Sequence, residues 1–369
     1  MPSRRPLLRR AVALVTAGTA LGSTVAPVSG SRSNADGSDS TTAAPSSSGR
    51  RSADRRVGPI VPYDASTVAD ADTVVTAVAD PSVVSSTGLP APWAERLLTS
   101  QRDADGVSVG NATAITGSVA INDDDALEGA VVARGTFDAD AVVSAIEANG
   151  ETAPTRPTDE TRRLRGTDEP FAAAVSDATV VIGYGGTADR AVEHVDAALD
   201  RDGRGARLQA DYGSLPSLLA GDAVVYADLG PTGRARARSR LSAAPRVPDT
   251  LRTAVETASA VGAAIRVADG RRASIAGKSA GSAGSGETDD ASIALRYGAV
   301  ADPRRLTRQR VERLAAEATN GEPSLADATV RRRGRTLVVD AAADDDALFA
   351  AHADLVGAAV EDTRDIHVG

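Results

Sequence analysis

Residues 125–150, DALEGAVVARGTFDADAVVSAIEANG, change hydrophobic period once. Up to Phe137 the apolar residues alternate or run together, as in a strand. From Asp138 onward they fall at Val142, Val143 and Ile146, one stripe of a helix. Asp138 stands where a carboxylate can accept the free amides of a first turn. After a loop, residues 170–199 continue with two strands about Ser176-Asp177-Ala178, then a helix with Val192, Val195 and Leu199 on one side. Residues 290–321 and 323–356 repeat this order. Asp302 opens the helix, Val311, Leu314 and Ala315 form its stripe, and Arg332-Arg333-Gly334-Arg335 makes the turn. One more strand precedes each stretch, at 106–121 and 258–277. Each unit therefore reads β-β-α-β-β-α. Such elements bury their apolar sides most simply as an antiparallel sheet with helices on one face. The expected fold class is α+β, as two related ferredoxin-like units over 58–205 and 206–369 that derive from an internal repeat. Residues 213–230 add a short helix and a strand, residues 232–258 a helix and a loop, and residues 276–290 a low-complexity tip.

The side chains available to such a core are small. Aromatic residues make up 2% of the 369 residues, and Ala and Val dominate the apolar positions. Cysteine is absent, which excludes disulfides, thiolate metal sites and cysteine nucleophiles. Lys278 is the one lysine, and 37 of the 50 carboxylates are aspartate. Concentrated salt strengthens hydrophobic association, so an Asp-rich surface with few aromatics and lysines suits a salty solvent. Charge is unevenly spread: residues 1–56 carry +6 and the remainder −15. A body this acidic repels nucleic acid, and the acidity serves solubility.

The basic start has an order of its own. Ser3-Arg4-Arg5-Pro6-Leu7-Leu8-Arg9 resembles the twin-arginine (Tat) export signal, with Ser3, Arg4, Arg5, Leu7 and Leu8 at the matching positions and Arg9 where lysine is usual. The weakly apolar run AVALVTAGTALGSTVAPV follows, too polar for a membrane span. Residues 1–30 are thus expected to be a signal peptide, with small residues for cleavage at Ala20/Gly22, Thr24/Ala26 or Val28/Gly30. Residues 31–57, rich in Ser, Asp, Gly and Arg, read as a disordered linker. The Tat translocase is the implied partner. No stable membrane span is expected unless the signal is retained. Asn111-Ala112-Thr113 is an acceptor pattern for N-glycosylation.

Several motifs tempt a catalytic or cofactor reading. Gly183, Gly185 and Ala188 spell G-x-G-x-x-A after a strand and before a helix. A dinucleotide turn also needs a second parallel strand that ends in an acidic residue. Residues 200–214, DRDGRGARLQADYGS, hold no apolar run, so the stretch reads as strand, turn and helix. Gly277-Lys278-Ser279-Ala280-Gly281 matches G-x-S-x-G but lacks the helix that a nucleophile elbow requires. The same GKS fails as a phosphate loop because the first required glycine is Arg272. Asp123-Asp124-Asp125 and Asp344-Asp345-Asp346 lack the ligand spacing of a calcium loop. His194, His352 and His367 have no i, i+4 partner for zinc. Arg331 to Arg335 read as a charged hairpin tip, and Trp93 as a packing residue. No catalytic, cofactor-binding or metal-ligating residue is expected.

The signal, the acidic composition and the phrase Gly135-x-Phe137-Asp138-x-x-x-Val142 together make the chain similar to exported haloarchaeal Tat-signal proteins of uncharacterised function. That resemblance implies an extracellular or cell-surface location and brings no catalytic residues. The expected function is a non-enzymatic binding or structural module of the envelope or exterior. The alternatives are an exported hydrolase that uses Ser, Asp or His residues brought together by the fold, and a nucleotide-binding protein that uses the Gly183 turn.

Overall fold

The computed structural model describes residues 64–81, 111–122, 127–149, 152–158, 161–200, 212–243, 257–267, 293–302 and 329–343, with positions 307, 309 and 312. The export signal, the linker, Trp93, both aspartate triplets, the Gly277–Gly281 motif, His352 and His367 lie outside these residues; of the helix that Asp302 was expected to open, positions 309 and 312 are described, and both are helical.

The strands in chain order are β1 (Thr73–Ala79), β2 (Ala112–Ile121), β3 (Leu127–Gly135), β4 (Thr152–Thr158), β5 (Thr161–Gly166), β6 (Phe171–Val175), β7 (Thr179–Tyr184), β8 (Ala223–Asp228), β9 (Ala258–Val267), β10 (Ile293–Ala301), β11 (Thr329–Arg333) and β12 (Thr336–Ala343). The described helices are α1 (Ala139–Asn149), α2 (Ala188–Leu199), α3 (Leu215–Leu218) and α4 (Pro231–Ala243), with a 3-10 turn at Ala65–Thr67. The class is α+β, dominated by antiparallel sheet. Among the described residues no helix is long and apolar enough to cross a membrane.

All twelve strands join in one sheet, in the order β11-β12-β10-β9-β8-β1-β2-β3-β7-β6-β5-β4. Every neighbouring pair is antiparallel. The strands of the two expected units meet at β1 and β8, in register from Val74 opposite Asp228 to Ala79 opposite Ala223. Strands from the two expected units therefore share one sheet and do not form two. Residues 150–169, read as a loop from their composition, contain the β4–β5 hairpin.

The helices do not lie on one face, and the ion pairs of β5 show why. Successive strand residues point to opposite faces. Arg162 reaches Asp140 on α1, whereas Arg163 and Arg165 reach Asp196 and Asp189 on α2. The core divides the same way. α1 packs Val142 and Val143 on Ala173, Val175 and Val180. α2 packs Ala191, Val195 and Ala197 on Ala172, Ala174, Val181, Ala130 and Val132. β6 is covered from both sides, and all five of its residues are buried. α3 packs with Tyr226, Ala260 and Ala264, on the same face as α2, since Thr76 stands opposite both Ser118 and Tyr226.

Several expected details appear as read. Asp138 Oδ1 accepts the Ala141 amide at 3.0 Å. β6 and β7 meet across the Ser176 turn, where Ser176 N–H donates to Thr179 O at 2.8 Å. At the centre of the sheet a buried hydroxyl chain ties α3's approach to β1 and β2. Tyr212 Oη donates to Thr76 Oγ1 at 2.9 Å, and Thr76 Oγ1 to Ser118 Oγ at 3.3 Å.

Candidate functional site

Among the described residues, a buried carboxylate and a buried imidazole, Glu128 and His194, come together where β7 turns into α2. Gly185 and Gly186 make the turn, and Thr187 caps the helix in extended conformation. Its Oγ1 accepts the Arg190 amide at 3.2 Å. The helix starts close against its own strand because Gly183 has no side chain. A Cβ there would stand 2.6 Å from Ala191 O and 2.7 Å from Val195 Cγ2.

A helix N-terminus with free amides favours an anion. Here the chain supplies one itself. Glu128, on β3 next to β7, sends Oε1 to the Gly186 amide at 3.0 Å. Its Oε2 lies 3.6 Å from Arg190 Nε and 3.6 Å from His194 Nε2. Both are longer than hydrogen bonds, and only the contact with Arg190 joins two charges. Glu128 is 8% exposed and His194 is fully buried.

Burial pushes the His194 imidazole down to about 4 from its ordinary 6.5; the Arg190 guanidinium pushes the same way, and Glu193 opposes. Desolvation disfavours the charged ring more than the nearby carboxylates favour it. His194 is therefore neutral at pH 7. The group holds a carboxylate, a guanidinium and a neutral imidazole, an acid–base set in kind. The imidazole lies enclosed where α2 packs against β3.

The nucleotide reading of the Gly183 turn fails on two counts. β7 is flanked by antiparallel β3 and β6, so no strand–helix–parallel strand unit exists there. The Gly186 amide that would meet a phosphate is taken by Glu128. The glycines serve close packing instead.

The second clasp of this kind holds α4. Asp72 Oδ2 accepts the Thr232 amide at 3.0 Å, and Thr73 Oγ1 accepts the Gly230 and Gly233 amides at 3.1 and 2.9 Å. Among the described residues no group of three or more His, Asp or Glu side chains is arranged to hold a metal ion. Asn111 is exposed at the start of β2, and Thr113 Oγ1 donates to Arg134 O at 3.1 Å. His194 is the one sequence candidate for chemistry that the described residues place in a charged cluster. Glu128 and Arg190 were not candidates. The available signal was a lone Glu in the apolar run Leu127-Glu128-Gly129-Ala130-Val131-Val132.

No protein-family model matches the chain, and no curated protein matches it. Solved structures of TP0453 in three crystal forms resemble it at 9–12% identity. Form III has a TM-score of 0.40 and covers 76% of this chain and 93% of that chain. Form I has a TM-score of 0.38 at 77% and 94% coverage, and form IV 0.39 at 78% and 96%. A likeness this weak carries no activity or partner to this chain.

Proposed function

We propose that the chain is an exported, halophilic, non-enzymatic module that binds or scaffolds in the envelope or exterior. The observation that carries this reading is the order of its first residues: Ser3-Arg4-Arg5, Leu7-Leu8, a weakly apolar run, then a polar linker before the folded body. The acidic, lysine-poor composition suits a salty exterior. The burial of Glu128 and His194 suits a scaffold better than a catalyst.

The body is read as two related, ferredoxin-like units. Outward from the β1–β8 pair, one half runs β1, β2, β3, β7, β6 and the other β8, β9, β10, β12, β11. The chain enters these strands in equivalent order, with the β4–β5 hairpin as an addition to the first half. Both units would then contribute to one binding or scaffolding surface.

The test is location. The native protein and an Arg4→Lys/Arg5→Lys variant are expressed in a halophilic host, and cytoplasm, membrane and medium are assayed. Native protein outside the cell with the variant retained is the expected result. Retention of both in the cytoplasm would overturn the reading.

A further inference from the structure

The two edges of the sheet are built differently. Among the described residues β4 and β11 are the terminal strands. An exposed edge offers unpaired amides and carbonyls to any passing strand. β4 reads Thr-Ala-Pro-Thr-Arg-Pro-Thr. Pro154 and Pro157 carry no N–H, and the ladder slips between Thr155 and Thr158. That edge is closed by its chemistry. β11 reads Thr-Val-Arg-Arg-Arg, keeps every donor, and is regularly paired on its inner side with β12.

β11 is also unusually charged for this chain. Arg331, Arg332, Arg333 and Arg335 are all exposed, in a molecule of net charge −9. The three arginines of β5, by contrast, each meet an aspartate of α1 or α2. On β11 Arg332 lies 3.5 Å from Glu312. Arg331, Arg333 and Arg335 form no ion pair among the described residues. Arg331 and Arg333 are two apart on a strand, so they share one face at a spacing of about 6.6 Å.

We infer that the outer edge of β11 is a docking edge for an extended acidic peptide. The peptide adds as one more antiparallel strand, and its alternate carboxylates stand opposite Arg331 and Arg333. The same arginines turn away a second β11 edge by like-charge repulsion. Main-chain pairing gives affinity and the period-two charges give selectivity. A peptide partner is favoured over other polyanions because the intact donor row serves only a partner with its own backbone. The inference rests on the binding-module reading and names the partner's chemistry.

The experiment is fluorescence anisotropy on the full chain with labelled synthetic peptides that alternate Asp with Val or Thr. The acidic peptide is expected to bind. A peptide of equal charge with prolines at two inward-facing positions is expected not to. Arg331→Glu/Arg333→Glu, with folding checked by circular dichroism, is expected to weaken binding about tenfold or more. Replacing the peptide's Asp by Lys is expected to restore binding to that variant. No binding of the acidic peptide, equal binding of the proline peptide, or equal displacement by a sulfated polysaccharide would each overturn the docking edge. Those failures are distinct from failure of the export reading, which the location assay reports with no peptide present.

Discussion

Replacing His194 by Leu tests whether the α2 cluster is a structural anchor with a buried neutral imidazole. The ring is fully enclosed and faces Glu128 from β3, with Arg190 and Glu193 on its own helix. Its folded-state value of about 4 lies below the ordinary 6.5. The unfolded chain therefore binds the proton more readily, and folding loses stability as pH falls through this window. Well above pH 6.5 the contribution is fully present, and the loss levels off only below pH 4. The linkage gives a loss of about 2 kcal/mol by pH 5 and about 3 kcal/mol by pH 4, relative to pH 7. Leu retains bulk at the site and cannot titrate. Urea unfolding of native protein and His194→Leu at fixed salt, from pH 7 to pH 4, isolates the histidine as the difference between two slopes. The expected result is that native protein loses about 3 kcal/mol more than the variant, with unchanged m-values. Parallel curves would refute the assignment of a neutral, buried His194, whatever the variant's stability at pH 7.

Two further substitutions probe packing and the sheet edge. Gly183→Val places carbon against the Ala191 carbonyl and Val195, so α2 must lift from β7; a loss of about 1–3 kcal/mol is expected in thermal or urea unfolding. A loss below about 0.5 kcal/mol would show that α2 does not depend on that close approach. Pro154→Thr/Pro157→Thr returns two donors to β4. Concentration-dependent association is expected in sedimentation velocity, and an unchanged monomer would refute the protective role of the prolines.

The legible parts of the fold were those with local causes. The β6–β7 hairpin, α2, the short helix and strand near residue 220, and the Asp138 cap follow from period and turn chemistry within a few residues. The β4–β5 hairpin was hidden because its stability comes from elsewhere. β4 carries two prolines, and in Thr-Arg-Arg-Leu-Arg-Gly of β5 the buried Leu164 is set among arginines whose partners lie on two helices. An amphipathic stripe shows that a helix buries one side but not which face of the sheet receives it. The uninterrupted Phe171-Ala172-Ala173-Ala174-Val175 was the mark of cover on both faces, since a half-exposed strand alternates. Glu128 was hidden for a related reason. Its partners Gly186 and His194 are close only because β3 pairs with β7, a contact that no spacing in the chain records.

The small side chains also account for the width of the sheet. Hydrophobic stabilisation scales with the apolar area removed from water. An alanine removes little, and a chain with three Phe, one Trp and five Tyr has few large anchors to add to it. Covering both faces of central strands lets each short residue count. Close approach then matters more than bulk. α2 rests on β7 through Gly183, and α4 starts against Thr73 through Gly233, where a Cβ would come within 2.5 Å of Thr73 Cγ2. Adding strands in one plane extends such thin, close layers without a deeper core. It leaves two edges whatever the number of strands. Proline closes one, and arginine charges the other. The charged edge, and not the enclosed cluster at α2, is where this architecture leaves backbone and charge together for a partner.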